Sequence, residues 1–231
     1  ALNNDFNLRR LERYLAAAWN SGATPVVVLT KADLCGDTAE KIAAVEQTAP
    51  GTDVLLTSAT QADGAQALLP YLTPGTTVAF VGSSGVGKST LMNCLLGERV
   101  LATGGLRNDD RGRHTTTRRQ LFSLPGGASL IDTPGMRELG LWDSEAGLET
   151  AFADIEALAQ QCRFRDCRHG QEPGCAVRAA VEAGEVPEER FRSWQRLTAE
   201  NSHAADHAAH LSAKEKKFRM IAKFNKNNVK R

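Results

Sequence analysis

Gly82-Ser83-Ser84-Gly85-Val86-Gly87-Lys88-Ser89 is the stretch of this sequence whose residue types and spacing most directly imply a chemistry. Glycines at positions 82, 85 and 87 let the backbone turn its N–H groups inward around a phosphate chain. Lys88 has the reach for the β- and γ-phosphates, and the Ser89 hydroxyl, followed by Thr90, is placed to ligate Mg²⁺. The apolar run Val78-Ala79-Phe80-Val81 precedes the loop, and Leu91, Leu95 and Leu96 follow it at helical spacing. The stretch therefore reads as strand, phosphate-binding loop and helix, with the helix N-terminus aimed at the same anion. A chance glycine-rich turn is the competing reading, and it has to reproduce both the full spacing and the β-α setting.

Two further loops converge on the same ligand. Thr30-Lys31-Ala32-Asp33 follows the apolar strand candidate Pro25–Thr30, and Asp33 offers a carboxylate that accepts from guanine N1–H and the 2-amino group together. Adenine presents no such pair of donors. Lys31 can lay its methylene stem over the purine, and Ser58-Ala59, after Thr57, can turn backbone N–H groups toward guanine O6. Judged singly, Asp33 is as readily a helix cap and Lys31 a solvated charge; taken with the phosphate loop, those readings lose. Asp132-Thr133-Pro134-Gly135 closes the strand candidate Ala128–Ile131, where a carboxylate serves the Mg²⁺ hydration shell and the Gly135 N–H meets a γ-phosphate.

A different chemistry occupies residues 162–175. Cys162, Cys167, His169 and Cys175 supply four soft-to-borderline ligands, the number and types of a closed tetrahedral Zn²⁺ site with a structural role. Reduced thiols in a small core are the alternative. Cys35 and Cys94 lie apart from this cluster, and an odd total of five cysteines does not describe a disulfide scaffold. His203, His207 and His210 share helical spacing and read as a solvated face.

The elements that position these residues follow from periodicity. Asp5 or Asn4 caps a first amphipathic helix carrying Leu8, Leu11, Leu15, Ala18 and Trp19, closed by Asn20-Ser21-Gly22. A helix is expected over 38–48, a short strand at Val54–Leu56, a helix near 64–71, and then the strand into the phosphate loop. Alternating strands and helices predict a doubly wound, mostly parallel α/β sheet. The candidates Gln120–Leu124 and Ala128–Ile131 flank Pro125-Gly126-Gly127, a hairpin turn that makes one strand an antiparallel edge. The intervening segment 102–117 has no period and is long enough to be functional or mobile. Beyond about residue 151 the pattern changes to helices broken by the Cys/His cluster, which places a domain of residues 1–150 before a smaller helical, zinc-binding one of 151–231.

The net charge of +1 conceals an asymmetry: residues 212–231 carry eight Lys/Arg against one Glu. In this tail Phe218, Met220, Ile221 and Phe224 interleave with the basic residues, a pattern that suits packing by the apolar positions and RNA contact by the charged ones. No apolar run approaches the ~20 residues of a membrane span and no secretory leader pattern opens the sequence, so no membrane association and a cytoplasmic location are expected.

The order of the motifs is unusual. Ordinary GTPases begin with the phosphate loop and end with the guanine-reading loops, whereas here Thr30–Asp33 and Thr57–Ala59 precede Gly82. Joining the usual termini and cutting elsewhere leaves every carboxyl-end loop in place, so a circularly permuted chain builds the same pocket. On these motifs, with Arg113-His114-Thr115-Thr116-Thr117 and the Cys/His cluster, the sequence resembles the circularly permuted, small-ribosomal-subunit-dependent GTPases of bacteria, the ribosome biogenesis GTPase A family. The resemblance implies GTP and GDP as ligands, Mg²⁺, one structural Zn²⁺, and the small ribosomal subunit with its rRNA as partner; a monomer is expected. The family also carries an N-terminal OB-fold that is not visible before Ala1, which implies a fragment or shortened member.

Two departures bear on mechanism. Thr30 stands where the guanine motif usually has Asn, so a hydroxyl must substitute for a loop-bracing amide. Met136 stands where familiar GTPases orient water with Gln, and Met has no group suited to that task. His114 is the alternative water-aligning residue, with an RNA-contacting role as its rival, and Thr116 is favoured among three threonines for closing on Mg²⁺. The leading expectation is a GTP hydrolase acting as a switch in small-subunit maturation. A zinc-stabilised RNA-binding module with little turnover is the alternative, and an ATPase of other lineage is disfavoured by Asp33.

Overall fold

In the first unit the β-branched run at Val26–Val28 forms a strand with Val27 and Leu29 buried on one face and Val26 and Val28 half-buried on the other. This strand, β1 (Val26–Leu29), pairs in parallel with β2 (Asp53–Leu56) in the register Val26↔Asp53 to Leu29↔Leu56. A second sheet has the order β3-β5-β4, with β3 (Thr77–Phe80) parallel to β5 (Ser129–Asp132) and β4 (Gln120–Ser123) antiparallel to it. The computed structural model describes residues 1–58, 64–98, 100–101, 119–133, 139–141 and 144–204. Among the described residues the chain divides into Ala1–Ala18 with Gly22–Leu139, and Trp19–Ser21 with Gly140–Arg231.

The expected hairpin forms at Pro125-Gly126-Gly127, where Leu124 N–H donates to Ala128 O at 2.8 Å and Gly127 N–H to Leu124 O at 2.9 Å. Helices α1 (Leu8–Asn20), α2 (Thr38–Thr48) and α3 (Lys88–Leu96) follow the periodicity closely. The apolar face of α3 joins a core of Leu68, Phe80, Leu91, Met92, Leu101 and Leu130, against which Val28, Leu55, Val78 and Phe122 pack. Core side chains from both sheets thus share one cluster, and the loops at 30–33 and 82–87 emerge above it.

Two local expectations are corrected. Asn7 caps α1, its Oδ1 accepting from Arg10 N–H at 2.9 Å, instead of Asp5 or Asn4. Asp5 is drawn away because its carboxylate is taken by Arg10 Nη1 at 2.9 Å and Ser83 Oγ at 2.6 Å. The helix near 64–71 is a 3₁₀ helix, Gln66–Tyr71, because Pro70 inside it has no N–H for an α-helical ladder.

The second unit holds α4 (Glu145–Ala151), α5 (Ala153–Ala159), α6 (Ala176–Glu182) and a helix, α7, described over 188–204. Phe152, Ile155, Val177, Phe191 and Leu197 are fully buried in it. Arg190 forks onto Asp154 through Nε at 2.9 Å and Nη2 at 2.7 Å, donates to Ala151 O at 3.0 Å, and lies 4.8 Å over the Phe152 ring. That arrangement fixes α7 to the α4–α5 corner, because a buried guanidinium must find acceptors for its donors within the protein. Among the described residues no helix is long and apolar enough to cross a membrane.

Candidate functional site

The phosphate loop bridges β3 and α3. Gly85 and Gly87 take φ values of 79° and 102°, conformations that suit glycine, and Gly87 caps α3 in the left-handed region. Lys88 Nζ folds back onto the loop, donating to Gly82 O at 2.8 Å and Ser83 O at 3.0 Å. Burial lowers its pKa below the usual lysine value while the Asp132 carboxylate works in the other direction. Parallel pairing of β3 with β5 sets Phe80 opposite Asp132, so the buried Asp132 closes β5 beside the start of the loop. Thr133 Oγ1 donates to Phe80 O at 2.6 Å and fixes that strand end.

The base-loop candidate is anchored directly to the phosphate loop. Thr30 Oγ1 donates to Val86 O at 2.6 Å, so the hydroxyl that stands in place of an amide braces the two loops together. Lys31 adopts a left-handed φ of 60°, uncommon outside glycine, and starts the 3₁₀ turn Ala32–Leu34 that presents Asp33. Ala32 N–H donates to Thr57 O at 3.2 Å, and Ser58 Oγ donates to Asp33 Oδ1 at 2.5 Å. Hence Thr30, Lys31, Ala32, Asp33 and Ser58 sit in one hydrogen-bonded group joined to Val86. Ala59, His114, Thr116, Gly135 and Met136 lie outside the described residues.

Asp5 is the residue at this site that the sequence did not indicate. Its carboxylate takes the Ser83 hydroxyl across a separation of 78 residues. Partial burial works to raise its pKa, but the hydrogen bonds from Ser83 and Arg10 prevail and hold it below the usual carboxylate range. Asp5 had a sufficient local explanation as a helix cap, and no spacing rule links it to Ser83.

In the second unit the ligand atoms of Cys162, Cys167, His169 and Cys175 all lie within 4.8 Å of one another. Cys162 Sγ and Cys175 Sγ stand 3.6 and 3.5 Å from His169 Nδ1, and 3.9 Å from each other. A tetrahedral centre with Zn–S of ~2.3 Å and Zn–N of ~2.0–2.1 Å requires ligand separations of about 3.6 and 3.8 Å, which Cys162, His169 and Cys175 match, with Cys167 within 4.8 Å as the fourth candidate ligand. His169 reaches inward from a left-handed φ of 58°, its ring edge-on to Trp194 at 5.3 Å, and Trp194 Nε1 is in turn held by Glu156 at 2.8 Å. Cys175 caps α6, its Sγ accepting from Arg178 N–H. Cys35 is half-buried and Cys94 exposed, both remote from the cluster in sequence. His203 is exposed, as a solvated face requires, while His207, His210 and the basic tail lie outside the described residues.

Known proteins resemble this chain over most of its length. A protein named small ribosomal subunit biogenesis GTPase RsgA 2 from Lactiplantibacillus plantarum is 59% identical over 204 residues, covering 88% of this chain and 57% of that protein. A small ribosomal subunit biogenesis GTPase RsgA from Methanosarcina acetivorans is 54% identical over 87% of this chain and 55% of its own length. The chain thus spans little more than half the length of these relatives. Crystal structures of YjeQ from Thermotoga maritima and of YloQ, described as a circularly permuted GTPase, each match with a TM-score of 0.62. They are 30% and 27% identical to this chain, covering 86% and 90% of it and 67% and 66% of their own chains. The model of the RsgA GTPase family matches residues 1–142, more than half of the sequence, and on that match together with these relatives the chain belongs to the RsgA GTPase family.

Proposed function

We propose that the first unit binds GTP with Mg²⁺ and hydrolyses it to GDP and phosphate, as a switch in maturation of the small ribosomal subunit. The observation that carries the guanine assignment is the 2.6 Å bond from Thr30 Oγ1 to Val86 O, which holds the Asp33 loop within reach of a ligand whose phosphates occupy Gly82–Ser89. Asp33 reads N1–H and the 2-amino group, Lys31 covers the purine, and Ser58 and Ala59 border O6. Lys88 leaves the loop carbonyls for the phosphates and neutralises charge that develops during transfer. Ser89 and Thr116 ligate Mg²⁺, Asp132 orders its hydration shell, and Gly135 N–H meets the γ-phosphate.

Phosphoryl transfer to water still needs an oriented nucleophile, and Met136 supplies no hydrogen bond for it. His114 aligns the water when the small subunit, whose rRNA the basic tail also contacts, completes the site. The names of the relatives support that partner. Cys162, Cys167, His169 and Cys175 hold one structural Zn²⁺ that stabilises the helical part, in a layout of residues 1–150 and 151–231 with a doubly wound sheet in the first. The protein acts as a cytoplasmic monomer.

Steady-state phosphate release from GTP, with and without small ribosomal subunits, tests this reading. Slow turnover alone and acceleration of ~10³-fold or more by subunits is expected, the scale seen when a missing catalytic element is supplied. His114→Ala should preserve nucleotide binding and remove the acceleration. Equal rates with and without subunits refute partner-completed catalysis.

A further inference from the structure

The amino-terminal segment touches both nucleotide loops. Leu2, almost wholly buried, donates its N–H to Thr30 O at 2.9 Å, three residues before Asp5 accepts from Ser83 Oγ. Thr30 in turn donates through its hydroxyl to Val86 O. Residues 2–5, the 83–86 stretch of the phosphate loop and Thr30 therefore form a closed ring of three hydrogen bonds. We infer that Asp5 is a positioning residue of the nucleotide site, clamping Ser83 so that this ring holds the phosphate loop in register with the base loop.

The clamp matters because Lys88 is a temporary support. Its ammonium holds Gly82 O and Ser83 O here, and it must release both to reach a phosphate. Ser83 then keeps its place through its hydroxyl, which is buried and has Asp5 as acceptor. Arg10, 2.9 Å from the other carboxylate oxygen, offsets the negative charge, so a carboxylate beside an anion-binding loop does not oppose the phosphates. The cap of α1 is Asn7, so removing the Asp5 side chain leaves the helix start intact. A loop held in its bound shape loses less conformational freedom when ligand arrives and releases it more slowly.

This inference rests on the proposed nucleotide site, and release of a fluorescent GDP analogue, followed by stopped flow on the full chain, distinguishes the two. Losing the hydrogen bond to a charged acceptor should speed release about tenfold in Asp5→Ala, which also strands the buried Ser83 hydroxyl, and to a similar extent in Ser83→Ala, which removes that hydroxyl. The double substitution should be no faster than either single one, because both break the same bond. Asp5→Asn keeps an oxygen to accept from Ser83 and should stay within about threefold of the unsubstituted chain. That rescue, and the non-additivity, are not expected of a residue that only supports folding. Unchanged release in Asp5→Ala, or single effects that multiply, overturns the inference. If Asp5→Ala does not fold, Ser83→Ala decides alone, since it nearly preserves volume, and unchanged release there overturns it too. Failure of the unsubstituted chain to bind GDP refutes the nucleotide site itself.

Discussion

Replacing Asp33 by Asn changes one atom in the base loop and reverses its hydrogen-bonding sense. Ser58 Oγ donates to Oδ1 at 2.5 Å, which fixes the carboxylate plane and makes the two oxygens inequivalent. On the proposed reading two donors of guanine meet a carboxylate acceptor in the native chain, and such bonds contribute about 1.5–3 kcal/mol each. The amide introduced by Asp33→Asn keeps one acceptor and sets an N–H₂ against the 2-amino group, so at least one bond is lost and a donor–donor clash added. A loss of about 2–4 kcal/mol corresponds to a 30- to 1000-fold weaker affinity for GDP. Xanthosine diphosphate carries a 2-oxo group that accepts from the new amide, so its affinity should rise as that for GDP falls. Competition of both nucleotides against fluorescent GDP measures the exchange. Unaltered GDP affinity, or a parallel loss for both nucleotides, refutes Asp33 as the base reader.

Other consequences follow from the same geometry. Thr30→Val removes the hydroxyl at nearly constant shape and leaves Val86 O without that donor, which should weaken GDP binding by about 1–2 kcal/mol in titration, whereas Thr30→Asn should restore it. Cys162→Ser should lower bound zinc below one per chain by metal analysis and loosen the second unit while GDP binding persists. Arg190→Ala should destabilise that unit by about 2–4 kcal/mol in denaturant titration, because it breaks the fork onto Asp154 and removes a donor from Ala151 O. The folded-state pKa of Asp5 lies below its ordinary 3.8, so its pairing contributes stability that is present above that value and is lost as pH falls through the lowered one. Thermal midpoints recorded from pH 6 to pH 2 should therefore fall less steeply in Asp5→Asn.

The strands, α2, α3 and the four metal-ligand candidates were legible because each rests on a local rule. Val26–Val28 is apolar on both faces, Gly85 and Gly87 meet a backbone demand, and Cys162–Cys175 carries its ligand set within one short stretch. Element ends moved by a residue or two, since pairing such as Asp53 with Val26 extends a strand beyond its apolar residues. What the sequence did not disclose is tertiary. Asp5 satisfied the local requirements of a cap, and only the fold brings Ser83 to it and leaves the cap to Asn7. Pro70 lies within the helix expected near 64–71, and the 3₁₀ geometry shows that its missing N–H prevails over an α-helical ladder. The bond from Thr30 to Val86 was open in the sequence as a hydroxyl with a bracing task; its partner and its 2.6 Å length came from the structure.

The central claim is that the loops at 30–33, 57–59 and 82–89 hold one guanine nucleotide. Calorimetric titration of the chain with GDP and with ADP, each in the presence of Mg²⁺, tests it most directly. One GDP per chain, bound at least ~100-fold more tightly than ADP, is the predicted result, because a site built to pair the guanine donors leaves Asp33 unmatched by adenine. Equal affinities for the two nucleotides, or no heat from GDP, would contradict it.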